Sequence, residues 1–266
     1  MVLSSRTEES FSLSAFLVSD GPARFLLSWV AGFVDTAAFI VLFGLFTAHV
    51  TGNIALAGSS FASSDPQTTV TRLLMLPTFM ISVIFTSLLA RFARKKGWSV
   101  LAVLLSAEAI ALGIFMTIGV RLSAALLLDV QEDLILPMGV AGVLAMGIQN
   151  ALMKEAHDSF TGYFPTTVMT GNFTQFTIDL VSFTIALFSS SADRKANPEV
   201  HAALERLGRT VPLLTGFFLG GTSAAYFVPM AEFRCLAMPL IVVSGLAIAA
   251  YVQSIASSDQ RSSDVH

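Results

Sequence analysis

Long apolar runs alternate with short polar segments along the chain. Six of the runs are close to the 20 or so residues that an α-helix needs to cross the hydrocarbon core of a bilayer. The pattern predicts an all-α, polytopic membrane helical bundle. The predicted transmembrane helices are about Arg24 to Phe46, Thr69 to Phe92, Trp98 to Val120, Leu134 to Met153, Thr210 to Met230 and Cys235 to Ser257.

Two further apolar stretches follow the first and fourth runs, at about Asn53 to Ala62 and Asn172 to Ser189. At 1.5 Å of rise per residue, the first is too short to cross a core of about 30 Å. Each begins at a Thr-Gly-Asn tripeptide, and a Gly-x-x-(Asp/Asn) element precedes each tripeptide, at Gly32 to Asp35 and at Gly147 to Asn150. The repeated order indicates an internal duplication, which is common in membrane transporters. The two tripeptides are Thr51, Gly52 and Asn53, and Thr170, Gly171 and Asn172.

Composition supports the membrane class. Hydrophobic residues make up 54% of the chain and charged residues 12%, whereas soluble domains have about 45–50% and about 25%. The single cysteine, Cys235, excludes an intrachain disulfide. An isoelectric point near 5.8 disfavours nucleic-acid binding. No metal-ligand spacing, nucleotide fingerprint or catalytic triad is found, so we expect no enzyme activity, cofactor or metal.

The distribution of Lys and Arg decides between two topologies, because cytoplasmic segments retain these residues. If neither short stretch crosses, both termini are cytoplasmic and 12 of the 15 basic residues lie on that side. If both cross, eight spans place 6 basic residues inside and 9 outside. The six-span topology is favoured, and its three-span units are inverted relative to each other. The short stretches then dip in from opposite faces as re-entrant half-helices, although the second is long enough to leave a crossing helix open.

This topology divides the chain into five parts. They are a cytoplasmic N-terminal tail (1–22), a first membrane repeat (23–120), an external connection (121–133), a second repeat (134–257) and a C-terminal tail (258–266). The expected location is the cell inner membrane. The expected partners are the bilayer and an unidentified small solute, and a homo-oligomer stays open.

Three acidic residues fall at membrane depth: Asp35, Glu108 and Asp179. An ionised carboxylate is costly there, and no Lys or Arg is expected deep inside a span, so each is a candidate proton site. The alternative is that the acids only hydrogen-bond between helices. Asn172, Gln175 and Asp179 share one helix face, whereas the corresponding face in the first unit, Asn53, Leu56 and Ser60, is apolar between its ends.

The two tripeptides carry the second candidate chemistry. Thr or Asn can cap the first turn of the following helix, and the helix start can bind an anion or a polar solute. The alternative is a cap that closes a bend and binds nothing. His49 precedes the first tripeptide and is expected to be solvated rather than proton-linked. The full set of candidate pathway residues is Asp35, Thr51, Gly52, Asn53, Gln149, Asn150, Thr170, Gly171, Asn172, Gln175 and Asp179.

With these four motifs in this order, the chain resembles the YoaK family of bacterial membrane proteins over about residues 22 to 257. The resemblance implies an inner-membrane protein of about six helices and brings no substrate or reaction. The expected function is a permease or channel for a small solute, passive or proton-coupled. A non-transporting scaffold or accessory subunit is the alternative. A lipid-modifying enzyme would have only Glu155, His157 and Asp158 as a polar cluster.

Overall fold

The computed structural model describes residues 12–62, 66–128, 134–160, 165–188 and 198–263, and these form helices and short connections. Parts of the expected tails and of the external connection lie outside these ranges. Short 3₁₀ turns occur at His157–Ser159 and Glu232–Leu236. The α-helices are α1 Leu13–Leu17, α2 Asp20–Val41, α3 Val50–Ala62, α4 Pro66–Lys96, α5 Val100–Leu128, α6 Ile135–Glu155, α7 Met169–Phe188, α8 Pro198–Ala231 and α9 Ala237–Ser263.

Each of the six predicted apolar runs lies mostly within one long helix, so the all-α prediction is confirmed. By length and composition, five stretches could cross a membrane, and the last of them, Glu199–Ser258, contains most of α8 and α9. Neither α3 nor α7 is among these candidates in the described part of the chain. The helices of a membrane protein therefore form the bulk of the molecule.

Among the helix limits that differ from the sequence prediction, two bear on the candidate site. The helix expected to reach Phe46 ends at Val41, where Phe43 and Gly44 take positive φ angles of 52° and 85°. The helix expected to begin at Thr210 begins three turns earlier, at Pro198, because proline suits the first position of a helix. The first change shortens α2, and the second places Arg206 within a helix.

The strongest packing joins helices of different sequence halves. A Cβ built on Gly216 would stand 2.4 Å from the Phe25 carbonyl oxygen, and one on Gly220 would stand 2.1 Å from that of Trp29, so α2 and α8 run in the same direction with their backbones in contact. Helices α4 and α6 pack in the same way, since a Cβ on Gly147 would stand 2.6 Å from the Ser82 Cβ. In each case the first long helix of one half packs on a later helix of the other.

The remaining helices make contacts within each half as well as between the halves. Helix α3 packs on α4, α7 packs on α8, and α5 and α9 pack on each other. The short helices α3 and α7 are thus held by the long helices that follow them. The segment 42–49, which we call the first break, separates α2 from α3. The segment 156–168, which we call the second break, separates α6 from α7, and residues 161–164 of it lie outside the described ranges.

Candidate functional site: two helix breaks

In the first break, the chain turns back from the end of α2 to a buried carboxylate. Asp35 is only 3% exposed, and its Oδ1 accepts hydrogen bonds from the backbone N–H groups of Thr47 (2.8 Å) and Ala48 (2.7 Å). Asp35 lies six residues before the last residue of α2, so the chain returns by about 9 Å. This carboxylate replaces the helical hydrogen bonds that the returning segment lacks.

The other carboxylate oxygen of Asp35 binds His49. The Oδ2–Nδ1 distance is 2.6 Å, and the His49 side chain is 32% exposed and lies edge-on to the Phe217 ring. This hydrogen bond raises the pKa of His49 above its usual value; burial lowers the pKa and the charge of Asp35 raises it further. The sequence-based expectation of a merely solvated histidine is wrong, because the returning chain brings His49 to Asp35.

Asn53 fixes the same loop from the other side. Its Oδ1 accepts from the Phe46 N–H at 2.9 Å and its Nδ2 donates to the Phe46 carbonyl at 2.8 Å, with the side chain fully buried. The amide therefore clamps the residue seven positions upstream, and the expected bond from Asn53 to the first turn of α3 is not the one formed. Gly52 is needed because a Cβ there would stand 2.9 Å from the Phe46 ring. Thr51 is exposed.

The second break repeats the clamp with one bond fewer. Asn172 donates from Nδ2 to the carbonyl of Pro165, seven residues upstream, at 2.8 Å. Proline has no N–H, so the return bond that Phe46 gives to Asn53 cannot form here. Gly171 has no tight neighbour, since a Cβ there would meet only Val168 at 4.0 Å, and Thr170 is exposed. The asparagine is therefore the member of each tripeptide that holds the fold.

Neutral amides stand in the second break where the first has Asp35. Asn150 accepts a hydrogen bond from the Thr167 hydroxyl and donates to the Met146 carbonyl at 2.9 Å. Gln149 is fully buried and donates to the Leu27 carbonyl at 2.6 Å and to the Thr166 hydroxyl at 3.2 Å. Its Oε1 atom has no hydrogen-bond partner among the residues that the structure describes. A buried acceptor of this kind is unusual and marks a place where water or a solute can bind.

The two breaks lie close to each other on both central helices. On α6, Gly142 contacts the Thr47 methyl of the first break, with a built Cβ at 2.6 Å, and Gln149 contacts Thr166 of the second. On α2, Asp35 holds the first break, and the Ser28 hydroxyl lies 3.5 Å from the Thr166 carbonyl. Gly142 and Gln149 are seven residues apart on α6, and Ser28 and Asp35 are seven residues apart on α2. Seven residues correspond to about 10 Å along a helix.

Asp179 lies in a different environment from the breaks. Although its side chain is fully buried, it accepts hydrogen bonds from Arg206 Nε at 2.9 Å and Gln175 Nε2 at 3.0 Å. The expectation that the deep acids have no cationic partner is therefore wrong for Asp179. In the first unit, Arg72 similarly binds the Leu56 carbonyl and the Ser60 hydroxyl, so an arginine contacts both short helices. One signal in the sequence pointed to this pair, namely an arginine in the polar first part of the long helix that follows.

Glu108 is the one candidate acid for which the described residues offer no partner. It is fully buried in α5 on the face of Leu104 and Phe115, which belong to the apolar core. Both carboxyl oxygens lack hydrogen-bond partners in the described ranges. Burying an ionised carboxylate in this apolar core costs roughly several kcal/mol, so the neutral form of Glu108 is favoured.

The described residues contain no group of three His, Cys, Asp or Glu side chains that could hold a metal ion. Glu155 pairs with Arg94, while His157 and Asp158 pair with each other at 3.1 Å. Two cavities, of about 840 and 420 Å³, lie beside α5 and between α7 and α8, and neither is lined by a residue of the breaks.

Comparison with known proteins identifies a family. A family model described as "Protein of unknown function (DUF1275)" matches residues 24–249 of the chain. No curated protein and no solved structure matches. The match covers both breaks, the whole of α3 to α8, and parts of α2 and α9, whereas the YoaK name rests on the sequence motifs alone.

Proposed function

The chain belongs to the DUF1275 family of proteins of unknown function, and we propose that it is a membrane permease for a small polar solute whose path passes between the two breaks. The observation that carries the proposal is the distance of about 10 Å between the breaks on both α2 and α6. Broken helices in a membrane free backbone polar groups, and transporters place their substrate sites where such breaks meet near the midplane.

The proposed topology has six spans, with α3 and α7 re-entering from opposite faces of the cell inner membrane and both termini in the cytoplasm. It is supported by the matching packing of α2 on α8 and of α6 on α4, and by the distribution of basic residues. In a Cys235→Ser background, cysteines at Leu13 and Arg234 distinguish the topologies. Six spans place Leu13 inside and Arg234 outside, eight spans reverse both, and Lys95 is inside in either case.

The proposed solute binds by exchanging hydrogen bonds with the breaks. On the side of the second break, the Gln149 Oε1 atom is an acceptor that the described chain leaves unused, and the Thr166 hydroxyl accepts a hydrogen bond from the Nε2 atom of the same amide. On the side of the first break, His49 and Asp35 hold a proton between them. An uncharged solute with donor groups, or one that travels with a proton, fits this pair of surfaces.

Proton coupling is part of the proposal, with Asp35 and Glu108 as its carriers. The Asp35 carboxyl group is hydrogen-bonded to the His49 ring and is close to the proposed path. Glu108 is neutral in its apolar surroundings and can lose a proton only if water or a cation reaches it. Asp179 is proposed to act with Arg206 as an ion pair that holds α7 to α8, and it keeps a proton role only if that pair opens.

A scaffold without transport activity is the second candidate. It is favoured by the pairing at the first break, where the carboxylate of Asp35 and the amide of Asn53 already make hydrogen bonds with the chain. In this case the polar residues only hold the short helices in place, and no solute displaces them.

Uptake into proteoliposomes distinguishes the two candidates. The protein is screened against a panel of small polar solutes with and without a pH gradient, together with the variants Asp35→Asn, Gln149→Leu and Asn172→Ala. Asp35→Asn keeps an acceptor for Thr47 and Ala48 but removes the charge that faces His49, so we expect about tenfold lower uptake. Glu205→Gln, the corresponding change from acid to amide at an exposed side chain outside both breaks, is the control and should match the parent. Absence of uptake for every solute supports the scaffold, whereas uptake that is equal in the parent and all variants counts against a path between the two breaks.

A further inference from the structure

A large apolar groove lies between α4, α5, α6 and α9, away from both breaks. Its volume is about 840 Å³, and its walls include Phe85 from α4 and Ile110 from α5, which are 54% and 65% exposed. The two serines that line it, Ser82 and Ser106, donate their hydroxyls to the carbonyls of Leu144 and Ala102. The groove therefore offers a hydrocarbon-like surface to an apolar chain.

A cation and two aromatic rings follow the groove at the C-terminal end of α4. The last groove residue on α4 is Leu89, and Phe92 follows one turn later with its ring 48% exposed. The Lys96 ammonium lies 5.8 Å from the centre of that ring, and Trp98 contacts the ring edge-on. The lysine side chain thus turns back over Phe92 towards the groove, as Lys does at a membrane interface.

Tyr251 of α9 also lines this end of the groove. Gly113 of α5 faces Leu240 of α9 at 3.9 Å. The two helices run in opposite directions, so Ala102, eleven residues before Gly113, is level with Tyr251, eleven residues after Leu240. Both Ala102 and Tyr251 line the groove. The exposed tyrosine is therefore level with the first turn of α5, the turn that follows Trp98.

The charge around this end is positive. Residues 66–107 contain no Asp or Glu and five Lys or Arg residues. Arg94 is paired with Glu155 of α6, whereas Arg91, Lys95 and Lys96 lie exposed beside it. Juxtamembrane clusters of this kind attract anionic lipid headgroups by about 1 kcal/mol per basic residue, which is about fivefold in affinity.

We propose that this groove binds one anionic phospholipid, with an acyl chain along Phe85 and Ile110 and the phosphate at Lys96. Tyr251 lies where its hydroxyl can donate to the glycerol ester or phosphate, and Lys95 and Arg91 add to the attraction. An uncharged or zwitterionic lipid can fill the same apolar walls but gains less from the three cations. The site stands independently of any transported solute.

The test compares two lipids with identical acyl chains, phosphatidylglycerol and phosphatidylcholine. The full chain, purified in a neutral detergent, is titrated with each, and bound lipid is counted by native mass spectrometry while thermal unfolding is followed. We expect the parent to bind phosphatidylglycerol more tightly. Lys96→Gln should lower that affinity about fivefold and lower phosphatidylcholine binding by a smaller factor, so that the preference between the two lipids narrows. Arg121→Gln removes an exposed cation from the other end of α5 and should match the parent.

The acyl-chain half of the site has its own variants. Ala107→Phe fills the groove and Ser106→Leu narrows it with a smaller change, so both should weaken binding of both lipids. The unfolding temperature without added lipid reports whether each variant is folded, and Ser106→Leu carries the test if Ala107→Phe is not. Equal affinity of the parent for the two lipids, parent-like selectivity in Lys96→Gln, or undiminished binding by the folded groove variant would each overturn the proposal.

Discussion

In the first break the buried carboxylate of Asp35 receives the returning chain, and in the second the half-buried amide of Asn150 stands at the corresponding place. Both breaks use an asparagine clamp over seven residues. The first adds a titratable pair, Asp35 with His49, and a second clamp bond to Phe46. In the second break, Asn150 stands in the place of Asp35, Val168 in that of His49 and Pro165 in that of Phe46. The two breaks thus share the asparagine clamp of a broken helix, while a titratable pair holds the returning chain in the first and a neutral amide contacts it in the second.

The largest expected difference is between Asp35→Ala and Asn150→Ala. The first leaves the Thr47 and Ala48 N–H groups and the His49 ring without their buried acceptor, which should cost about 3–5 kcal/mol, as for a broken buried ion pair. The second removes two neutral hydrogen bonds and should cost about 1–2 kcal/mol. Denaturant unfolding in a fixed detergent measures both, and equal losses would mean that the carboxylate adds nothing to the first break.

The two clamps should differ by a smaller amount. Asn53→Ala leaves the Phe46 N–H and carbonyl unpaired and should cost about 2–4 kcal/mol, whereas Asn172→Ala leaves only the Pro165 carbonyl and should cost about 1–2 kcal/mol. The same unfolding measurement applies. Pro165→Ala supplies the missing N–H and serves as the converse variant. If it brings the cost of Asn172→Ala up to that of Asn53→Ala, the missing bond explains the difference.

The smallest effect expected is the pH dependence of the first break. The pKa of His49 is raised in the folded protein above its usual 6.5, so its pairing with Asp35 stabilises the fold fully below that usual pKa. The contribution is lost as the pH rises through the raised, folded-state pKa. Parent stability minus that of His49→Val should therefore fall with rising pH. When Asp35→Asn is present in both proteins, the stability difference between His49 and His49→Val should not change with pH. A difference that grows with rising pH would contradict the pairing of His49 with Asp35.

Much of the fold follows from local pattern, and the parts that did not follow depend on contacts between distant segments. The apolar runs and the repeated motifs were sufficient to predict the long helices and the two short ones. Asp35 was identified from its depth in the first run. The partner of Asp179 was missed because Arg206 looked like part of a polar connection, and only the early start of α8 places it in a helix.

The failure at His49 has a different origin. Its distance from Asp35 along the chain, 14 residues, says nothing about whether the chain turns back. The turn depends on the positive φ angles of Phe43 and Gly44 and on the clamp between Asn53 and Phe46. Likewise the capping role expected of the tripeptide was too local, since asparagine reaches upstream across the break instead of down the helix.

The close backbone contact at Gly216 and Gly220 bears on how such a molecule could have arisen. Because α2 is completed by α8 and α6 by α4, neither half of the chain can cover its own first helix. A single ancestral unit would have needed a second copy beside it, inserted the other way up on the proposed topology. Gene fusion would then have made a paired assembly obligatory, and the two halves, if produced as separate polypeptides, should be stable only when they are made together.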